Sequence, residues 1–433
     1  METRHLLVLS AVLGLVAAGK HDIYARNSVH GVQLRNKADQ EYIHQLEVQM
    51  DLDIWQEGVA GRRDAQVMVT PDKKAAFLKA LDDKGIQHYV HLEDVAKAFT
   101  DYDYQVEMWR SMRKLRMIFQ DYPRYAEVDA YLERVASQHP NIAKLVTAGK
   151  SYEGRDIKYL KISTTNFEDA SKPVYILTTM IHAREWVTTP VALYSIYRLV
   201  ENLRSQDQDL LRDIDWIIMP LVNPDGYEYT HTNERLWRKT RTKNVTNHET
   251  CVGVDGNRNF DMNFASLGVS NDPCHLTYPG PFPFSEAETR YIRDIFHEYL
   301  GRIQLFMDVH SFGNYVTFGY GDETLPQNAP QVLQVAAAMG AVIDTRKLPE
   351  ADFYLIGNSA TLMYVTSGCA QDYGTSIGIP FSYTLELPSY GYDFRVPPQY
   401  VDQINEETWH GIAISARLAR VYYTARRNAQ NNS

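Results

Sequence analysis

Four ionisable side chains interrupt or follow apolar segments that are typical of buried strands. His182 and Glu185 follow one such segment, His310 follows another, and Glu386 lies within a third. Burying an ionisable group is costly unless the group is paired or used. Two histidines, one glutamate and a water make the open four-coordinate site of a catalytic zinc. The residue types therefore favour a metallohydrolase in which Glu386 takes the proton of the water.

The surroundings of the first pair place it at a strand end. The segment 174–181 predicts a buried strand, and Pro190 suits the first position of the helix that follows. His182 and Glu185 then lie at the carboxyl end of a strand, where open α/β sheets place their sites. The pair alone is equally compatible with a polar surface turn. His310 is too distant along the chain for a local motif, so only the fold can unite the three.

Two arginine segments suit anionic groups of a substrate. Arginine binds a carboxylate in two-point geometry and stays charged at any working pH. Arg258 with Asn257 can hold a carboxylate, and Arg238 can face an oxyanion. Taken one at a time, each arginine is also compatible with an ordinary solvated surface position.

Strands and helices alternate from about residue 117 onwards. This alternation predicts an α/β fold: a mixed, mainly parallel twisted sheet with helices on both faces. Residues 223–226 (Asn-Pro-Asp-Gly) predict a turn. The predicted strands are 159–162, 174–180, 216–222, 303–309 and 381–387, and the predicted helices are 125–138, 191–203, 285–300, 331–341 and 403–424. The polar tail 426–433 is predicted to be disordered.

The first quarter of the chain has a different organisation. Residues 1–18 have the basic start, apolar stretch and small-residue end of a signal peptide. Residues 19–116 predict a small α+β unit, with an early helix near 42–50 and strands at 65–70 and 86–92 around a second helix. Four basic residues lie between Arg110 and Arg116. They indicate either a solvated helix face or an exposed linker that a trypsin-like protease cuts.

Composition excludes several classes of partner. The 433-residue chain has a net charge of -10, which argues against nucleic acid or an anionic membrane. No segment after the signal peptide has the ~18 apolar residues of a membrane span. The three cysteines allow one disulfide and leave one thiol over. Asn244 begins an Asn-Val-Thr glycosylation acceptor, which is consistent with secretion.

Several motifs, in order along the chain, resemble those of the zinc metallocarboxypeptidases of the carboxypeptidase A/B type. The resemblance covers nearly the whole chain, including the signal and pro-segments. The matching segments are Ser-Tyr-Glu-Gly-Arg at 151–155, Ile-His-Ala-Arg-Glu-Trp at 181–186, Asn-Pro-Asp-Gly-Tyr at 223–227, Arg-Leu-Trp-Arg-Lys at 235–239, Gly-Val-Asp-Gly-Asn-Arg-Asn-Phe at 253–260, His-Ser-Phe at 310–312 and Thr-Leu-Glu-Leu at 384–387.

The resemblance implies roles for the site residues and one Zn²⁺ per catalytic domain. One group of residues is implied to bind the metal and carry out the reaction: His182, Glu185 and His310 as zinc ligands, Glu386 as general base and Arg238 as oxyanion stabiliser. Asp255 is expected to orient His182. Residues that bind the substrate form the second group: Asn257 and Arg258 at the terminal carboxylate, Tyr364 closing over it, Arg184 at a further subsite and Gln371 at the floor of the side-chain pocket.

The resemblance also implies a domain plan and partners. It implies a signal peptide at 1–18, an activation pro-domain with connecting helix at 19–116, a catalytic domain at 117–425 and a tail at 426–433. Cleavage by a trypsin-like protease would follow Arg113, Lys114 or Arg116. The expected substrates are C-termini of peptides and proteins. The mature enzyme is expected to be monomeric and extracellular, with the gut lumen as one location.

Cys251 and Cys274 resemble the disulfide of the family, which leaves Cys369 as a buried free thiol. Phe312 stands where better-known digestive members have tyrosine, which removes a hydroxyl from the subsite. Gln371 is neither the acid of members that prefer Lys or Arg nor the aliphatic residue of members that prefer apolar side chains. A neutral or apolar C-terminal residue is therefore expected, and a Gln or Asn preference stays open.

Two other functions remain to be distinguished. One is a secreted binding module that keeps the fold without catalysis, although no ligand or base is missing here. The other is the regulatory carboxypeptidase branch, which generally lacks such a pro-domain and adds a C-terminal domain.

Overall fold

A computed structural model describes residues 19–112, 116–243 and 250–431 of the chain. The predicted signal peptide, the candidate cleavage positions Arg113 and Lys114, and the glycosylation acceptor at Asn244 lie outside the described residues. No helix in the described ranges is long and apolar enough to cross a membrane.

Residues up to Met112 form a small antiparallel sheet with three helices. Its elements are β1 (Ser28–Val32), α1 (Lys37–Met50), β2 (Asp53–Gln56), β3 (Ala65–Val69), α2 (Pro71–Asp83), β4 (His88–Leu92) and α3 (Val95–Met112). The strand order is β2-β3-β1-β4. The α+β prediction is right for α1, β3, α2 and β4, and the structure adds two strands and α3. We call this part the pro-domain.

The rest of the chain folds around an eight-stranded sheet. Its strands are β5 (Ala143–Lys150), β6 (Asp156–Ile162), β7 (Val174–Thr179), β8 (Asp215–Met219), β9 (Ile303–Ser311), β10 (Tyr315–Phe318), β11 (Leu355–Asn358) and β12 (Phe381–Leu387). The helices are α4 (Tyr125–Gln138), α5 (Thr188–Ile196), α6 (Gln208–Arg212), α7 (Pro224–Thr232), α8 (Ala287–Tyr299), α9 (Ala329–Asp344), α10 (Ser359–Leu362), α11 (Ala370–Ser376) and α12 (Val401–Asn431).

The order of this sheet is β11-β10-β12-β9-β7-β8-β6-β5. The four central strands β12, β9, β7 and β8 are parallel to their neighbours in that group, and the outer pairings β10·β12, β6·β8 and β5·β6 are antiparallel. The predicted α/β class with a mixed sheet is confirmed.

Strand β7 shows why the central strands are apolar throughout. Successive side chains of a strand point to opposite faces. Tyr175 and Leu177 enter one buried cluster, which they share with residues of α5 and α12. Val174 and Ile176 enter a second cluster, on the side of α8 and α11. Because helices cover both faces, only the strand ends reach solvent, and the site must lie there.

Two predictions of local structure are wrong. Residues 223–226 are not a free turn but the start of α7, because the side chain of Asn223 accepts a hydrogen bond from Gly226 N at 2.9 Å and caps the helix. The tail is not disordered through 431, because α12 continues to Asn431. Arg426 donates to Gln304 at 3.0 Å, and Arg427 donates to the carbonyl of Ala170, which ties the last turns to the domain.

Candidate active site

Three neighbouring parallel strands bring the predicted metal ligands together. His182 and Glu185 lie in the loop after β7, and His310 is the penultimate residue of β9. Glu386 lies on β12 and is the register partner of His310. Carboxyl ends of parallel strands meet at one edge of a sheet. Strand order therefore brings these residues together although they are far apart in sequence.

The ligand atoms of this cluster face one point. His182 Nδ1 lies 2.8 Å from Glu185 Oε1 and 3.1 Å from His310 Nδ1, and His310 Nδ1 lies 3.2 Å from Glu185 Oε2. Ligands about 2.1 Å from a tetrahedral zinc would be about 3.4 Å apart. All three side chains are buried, and they form a group that can hold a metal ion. The donor set and spacing fit zinc.

The outer nitrogen of each histidine is held by a carboxylate. Asp255 Oδ1 lies 3.0 Å from His182 Nε2, and Asp308 Oδ2 lies 2.7 Å from His310 Nε2. These contacts turn each Nδ1 towards the metal position. Burial opposes the charge of His310, but Asp308 and Glu185 outweigh it and raise its pKa well above the usual range. The cluster therefore favours positive charge at its centre.

Glu386 adjoins the cluster without joining it. Burial is the main reason why its pKa is raised to about 8, and the nearby Glu185 acts in the same direction. His310 and Arg238 oppose that shift. A carboxyl group in this position can exchange a proton near neutral pH, as a general base or acid must.

Arg238 shares a carboxylate with the metal cluster. Its Nε and Nη2 donate to Asp255 Oδ2 at 3.0 and 2.9 Å. Asp255 is completely buried, and although burial opposes its charge, Arg238 and His182 keep its pKa well below the usual range. One ionised carboxylate thus fixes both a metal ligand and the arginine beside it.

The predicted carboxylate clamp is assembled from two loops. Arg258 Nη2 donates to the hydroxyl of Tyr364 at 2.6 Å, and Asn257 Oδ1 accepts from Ala370 N at 2.9 Å. Gly368 has a φ of +71°, and a Cβ there would lie 2.1 Å from the carbonyl of Arg258. Only glycine allows this close approach, which holds the loop before α11 against the clamp.

Beyond the clamp, the cleft ends in a polar, uncharged pocket. Gln371 is buried, and its Oε1 accepts a hydrogen bond from the hydroxyl of Thr384. Cys369 Sγ lies 3.7 Å from Arg258 Nη1. The residues that line this end are Thr317, Ser359, Met363, Thr366, Cys369, Gln371 and Thr384. We call this set the side-chain pocket.

The pro-domain covers the charged end of the cleft. Asp53 accepts two hydrogen bonds from Arg184 Nη1, at 2.9 and 2.8 Å, and both side chains are nearly buried. His44 stacks on Tyr364 with ring centroids 4.3 Å apart. Ile54, Trp55 and Glu57 also line the cleft, whose enclosed space is about 100 Å³. A peptide cannot enter while these contacts persist.

Sequence reasoning missed several residues that the structure places in the site. Asp308 was visible as the residue two before His310 on the same face of a strand, but nothing assigned it a role. Cys369 was expected only to fill space, and it contacts the clamp. Asp53 and His44 carried no local signal, because their partners are in another domain. Cys251 and Cys274 form the expected disulfide.

Comparisons with known proteins agree with this geometry. A zinc carboxypeptidase profile matches residues 128–411, and a carboxypeptidase activation peptide profile matches residues 31–101. The chain is 42% identical to the carboxypeptidase B of Helicoverpa zea over 427 residues, covering 96% of this chain and 98% of that protein. It is 30% identical to the carboxypeptidase A1 of Bos taurus, covering 94% and 96%.

A solved structure gives the same result in three dimensions. The crystal structure of the carboxypeptidase A from Helicoverpa armigera superposes with a TM-score of 0.88 at 39% sequence identity. The match covers 92% of this chain and 98% of that one, so it includes both the pro-domain and the catalytic sheet.

Proposed function

The chain belongs to the zinc carboxypeptidase family, as a zinc-dependent exopeptidase of the A/B type with an activation peptide, and on that premise we propose how its residues act. The observation that carries the proposal is that one cleft contains the metal cluster, the half-buried Glu386 and an arginine clamp. We propose that these parts release single C-terminal residues with neutral side chains.

His182, Glu185 and His310 hold the zinc in this proposal. The bound metal supplies a Lewis acid and lowers the pKa of a bound water towards about 7. Glu386 would take a proton from the attacking water and would later deliver it to the leaving amine. Its environment, in which burial raises the pKa to about 8, would let it carry the proton between the two steps.

Arg238 stabilises the oxyanion that forms on the scissile carbonyl. Its guanidinium is already fixed by the two hydrogen bonds to Asp255, so it needs little reorganisation when charge develops. Because a guanidinium has five N–H groups, Arg238 keeps further hydrogen-bond donors that Asp255 does not use.

Arg258 and Asn257 bind the free carboxylate at the C-terminus of the substrate, and Tyr364 closes over it. Arg258 is buried against the hydroxyl of Tyr364, so an internal peptide, which brings no charge, would leave the guanidinium without an anion. This penalty makes the activity an exopeptidase activity. Arg184 serves a further subsite once Asp53 has left it.

The pro-domain keeps the enzyme inactive until the segment before residue 117 is cut. Residues 19–116 then leave, and the mature domain is 117–425, with the last turns of α12 after it. Arg110 and Arg116 are paired with Asp121 at 2.7 and 2.5 Å, so they are anchored at the start of the catalytic domain. A trypsin-like protease is the proposed activator, because this segment is basic.

The sequence features of secretion complete the proposal. The signal-like segment 1–18 and the disulfide between Cys251 and Cys274 both suit an oxidising, extracellular compartment such as the gut lumen. Peptide and protein C-termini are the proposed substrates, and the mature enzyme is proposed to act as a monomer.

The decisive experiment measures release of C-terminal residues by trypsin-treated and untreated protein, with and without a zinc chelator. Blocked dipeptides ending in Phe, Leu, Gln, Glu, Lys and Arg serve as substrates. Release that needs trypsin and is lost with the chelator supports the proposal. Bound zinc with no release from any substrate would instead support the non-catalytic binding module.

A further inference from the structure

The side-chain pocket begins close to the reacting groups. Thr384 lies two residues before Glu386 on β12, so both side chains project from the same face of the strand. Thr384 pairs with Thr317 across β10 and β12. Cys369 connects the pocket to Arg258 of the clamp. A C-terminal side chain held by the clamp therefore extends towards Thr384 and Gln371.

At the floor of the pocket, only the oxygen of the Gln371 amide has a hydrogen-bond partner from the residues that the structure describes. Gln371 is 4% exposed, and its oxygen accepts from the hydroxyl of Thr384. Among the described residues, no group accepts a hydrogen bond from its Nε2. A carboxamide has two donors and one acceptor and can turn over about its last torsion. The floor can thus offer either donors or an acceptor to a ligand.

A second polar group in the pocket lacks a partner. Ser359 begins α10, and its residue is 6% exposed. Its Oγ is buried without any hydrogen-bond partner in the described part of the chain, although it lines the cleft. Buried hydroxyl groups are normally satisfied, so this one indicates a missing polar partner.

The pocket carries no formal charge of its own. Asp372, the nearest acid in sequence, is not among the residues that line the cleft, and its Oδ2 accepts from Gly321 N at 2.8 Å. A Cβ added at Gly319 would lie 2.3 Å from Asp372 Oδ1, so this carboxyl group faces the turn after β10. A buried Lys or Arg side chain would lack an anion. The nearest cation, Arg258, is assigned to the terminal carboxylate, so a buried Glu would lack a cation of its own.

We propose that the side-chain pocket selects C-terminal glutamine and asparagine, through an amide-to-amide pair with Gln371 and a hydrogen bond with Ser359. This inference rests on the proposed carboxypeptidase function and names its substrate class. An apolar side chain of equal size would fill the pocket and leave Gln371 Nε2 and Ser359 Oγ without hydrogen-bond partners, which is why polarity decides the preference.

The test uses trypsin-activated enzyme and three blocked dipeptides ending in Gln, Glu and Met, whose side chains have similar length. We expect kcat/KM for Gln to exceed the values for Met and Glu by at least about tenfold. Asn, Leu, Lys and Arg complete the series. A higher value for Met, Leu, Lys or Arg than for both amides would overturn the inference.

Variants separate the role of the floor from a loss of folding. Gln371→Leu should reverse the Gln-to-Met ratio, and Gln371→Asp should make Lys or Arg the best substrate. Ser359→Ala should lower the Gln-to-Met ratio about threefold or more. Gln331→Leu, at an exposed position on α9, is the matched control and should leave the ratio unchanged.

The outcomes distinguish this inference from the proposed function. Release in a different order of preference, or variant ratios that stay unchanged, defeats the Gln and Asn selectivity alone. Should the Gln371 variants fail to fold, the wild-type series and Ser359→Ala still decide. An absence of release from every peptide by zinc-loaded, activated protein defeats the proposed function itself.

Discussion

The two ends of the cleft follow opposite electrostatic rules. At the metal end, His182, His310 and Arg238 are each matched by a carboxylate, and Asp255 serves two of them. In the side-chain pocket, none of the lining residues that the structure describes is charged, and Ser359 Oγ has no hydrogen-bond partner among the described residues. The pro-domain contacts both ends, through Asp53 on Arg184 and through Gln40 on the carbonyl of Met363.

The contrast shows that the interactions with the largest effect on stability lie at the metal end. A buried charge that loses its partner destabilises a protein by about 3–5 kcal/mol, so every charge at the metal end constrains several neighbours. A neutral pocket can change its lining at smaller cost. We therefore propose that the metal end carries out the reaction and that the side-chain pocket selects which residue is released.

The largest expected effect is at Glu386. Replacing it with Gln keeps the size but removes the proton acceptor, and kcat should fall about 10²–10⁴-fold. Zinc content, measured by atomic emission, should stay near one per chain because Glu386 is not a ligand. Glu350→Gln, at an exposed site, is the control. Turnover close to wild type in Glu386→Gln would contradict the assigned base.

The second-largest expected effect is at Arg238, the proposed stabiliser of the oxyanion. Arg238→Lys keeps the charge but loses the two-point contact with Asp255, so kcat should fall about 10²–10³-fold while KM changes little. Steady-state kinetics on activated enzyme measure both. Arg346→Lys, at an exposed position, provides the comparison. A change confined to KM would show that Arg238 acts only in binding.

The third effect concerns the pro-domain. Asp53→Asn removes the anion that Arg184 binds, so the zymogen should open more often, and its activity before trypsin should rise about tenfold or more. Trypsin treatment should bring variant and wild type to the same final activity. The neighbouring exposed Asp51→Asn is the matched change. Equal activities of Asp53→Asn and wild type before trypsin would show that Asp53 does not contribute to inhibition.

The smallest effect is a pH dependence of the zymogen. Burial opposes the charge of His44, but Glu57 and Glu47 outweigh it and raise its pKa to about 10. Tyr364 is the group that faces His44 from the catalytic domain. The raised pKa means that the contribution of His44 to stability is complete below about pH 6.5 and is lost as the pH rises through about 10.

Thermal unfolding of the untreated protein measures this contribution. The Tm of wild type minus that of His44→Gln should be a few degrees at pH 7 and should shrink between pH 9 and 11, since the variant carries no charge at either pH. Taking the difference in Tm cancels the contribution of lysines and tyrosines that titrate in both proteins. A difference that is constant with pH would exclude a charged His44.

Local patterns were sufficient for most elements and for the reacting groups. The helix Tyr125–Gln138 and the strand Phe381–Leu387 were predicted at their observed limits, because apolar periodicity and end signals agreed there. The short strands β10 and β11 were not predicted, since four residues give too short a pattern. The tail was mistaken for disorder because its anchors, Gln304 and Ala170, are far away in sequence.

The sequence by itself determined the chemistry of this protein. His182, Glu185, His310 and Glu386 are recognisable because ionisable groups next to apolar strands are costly unless they have a use, and their motifs match the family. Only the tertiary structure decided which groups share partners. Strand order placed Glu386 beside His310, and domain docking placed Asp53 on Arg184. Glu386 and His310 are 76 positions apart, and Asp53 and Arg184 are 131 positions apart, so no local pattern encodes these contacts.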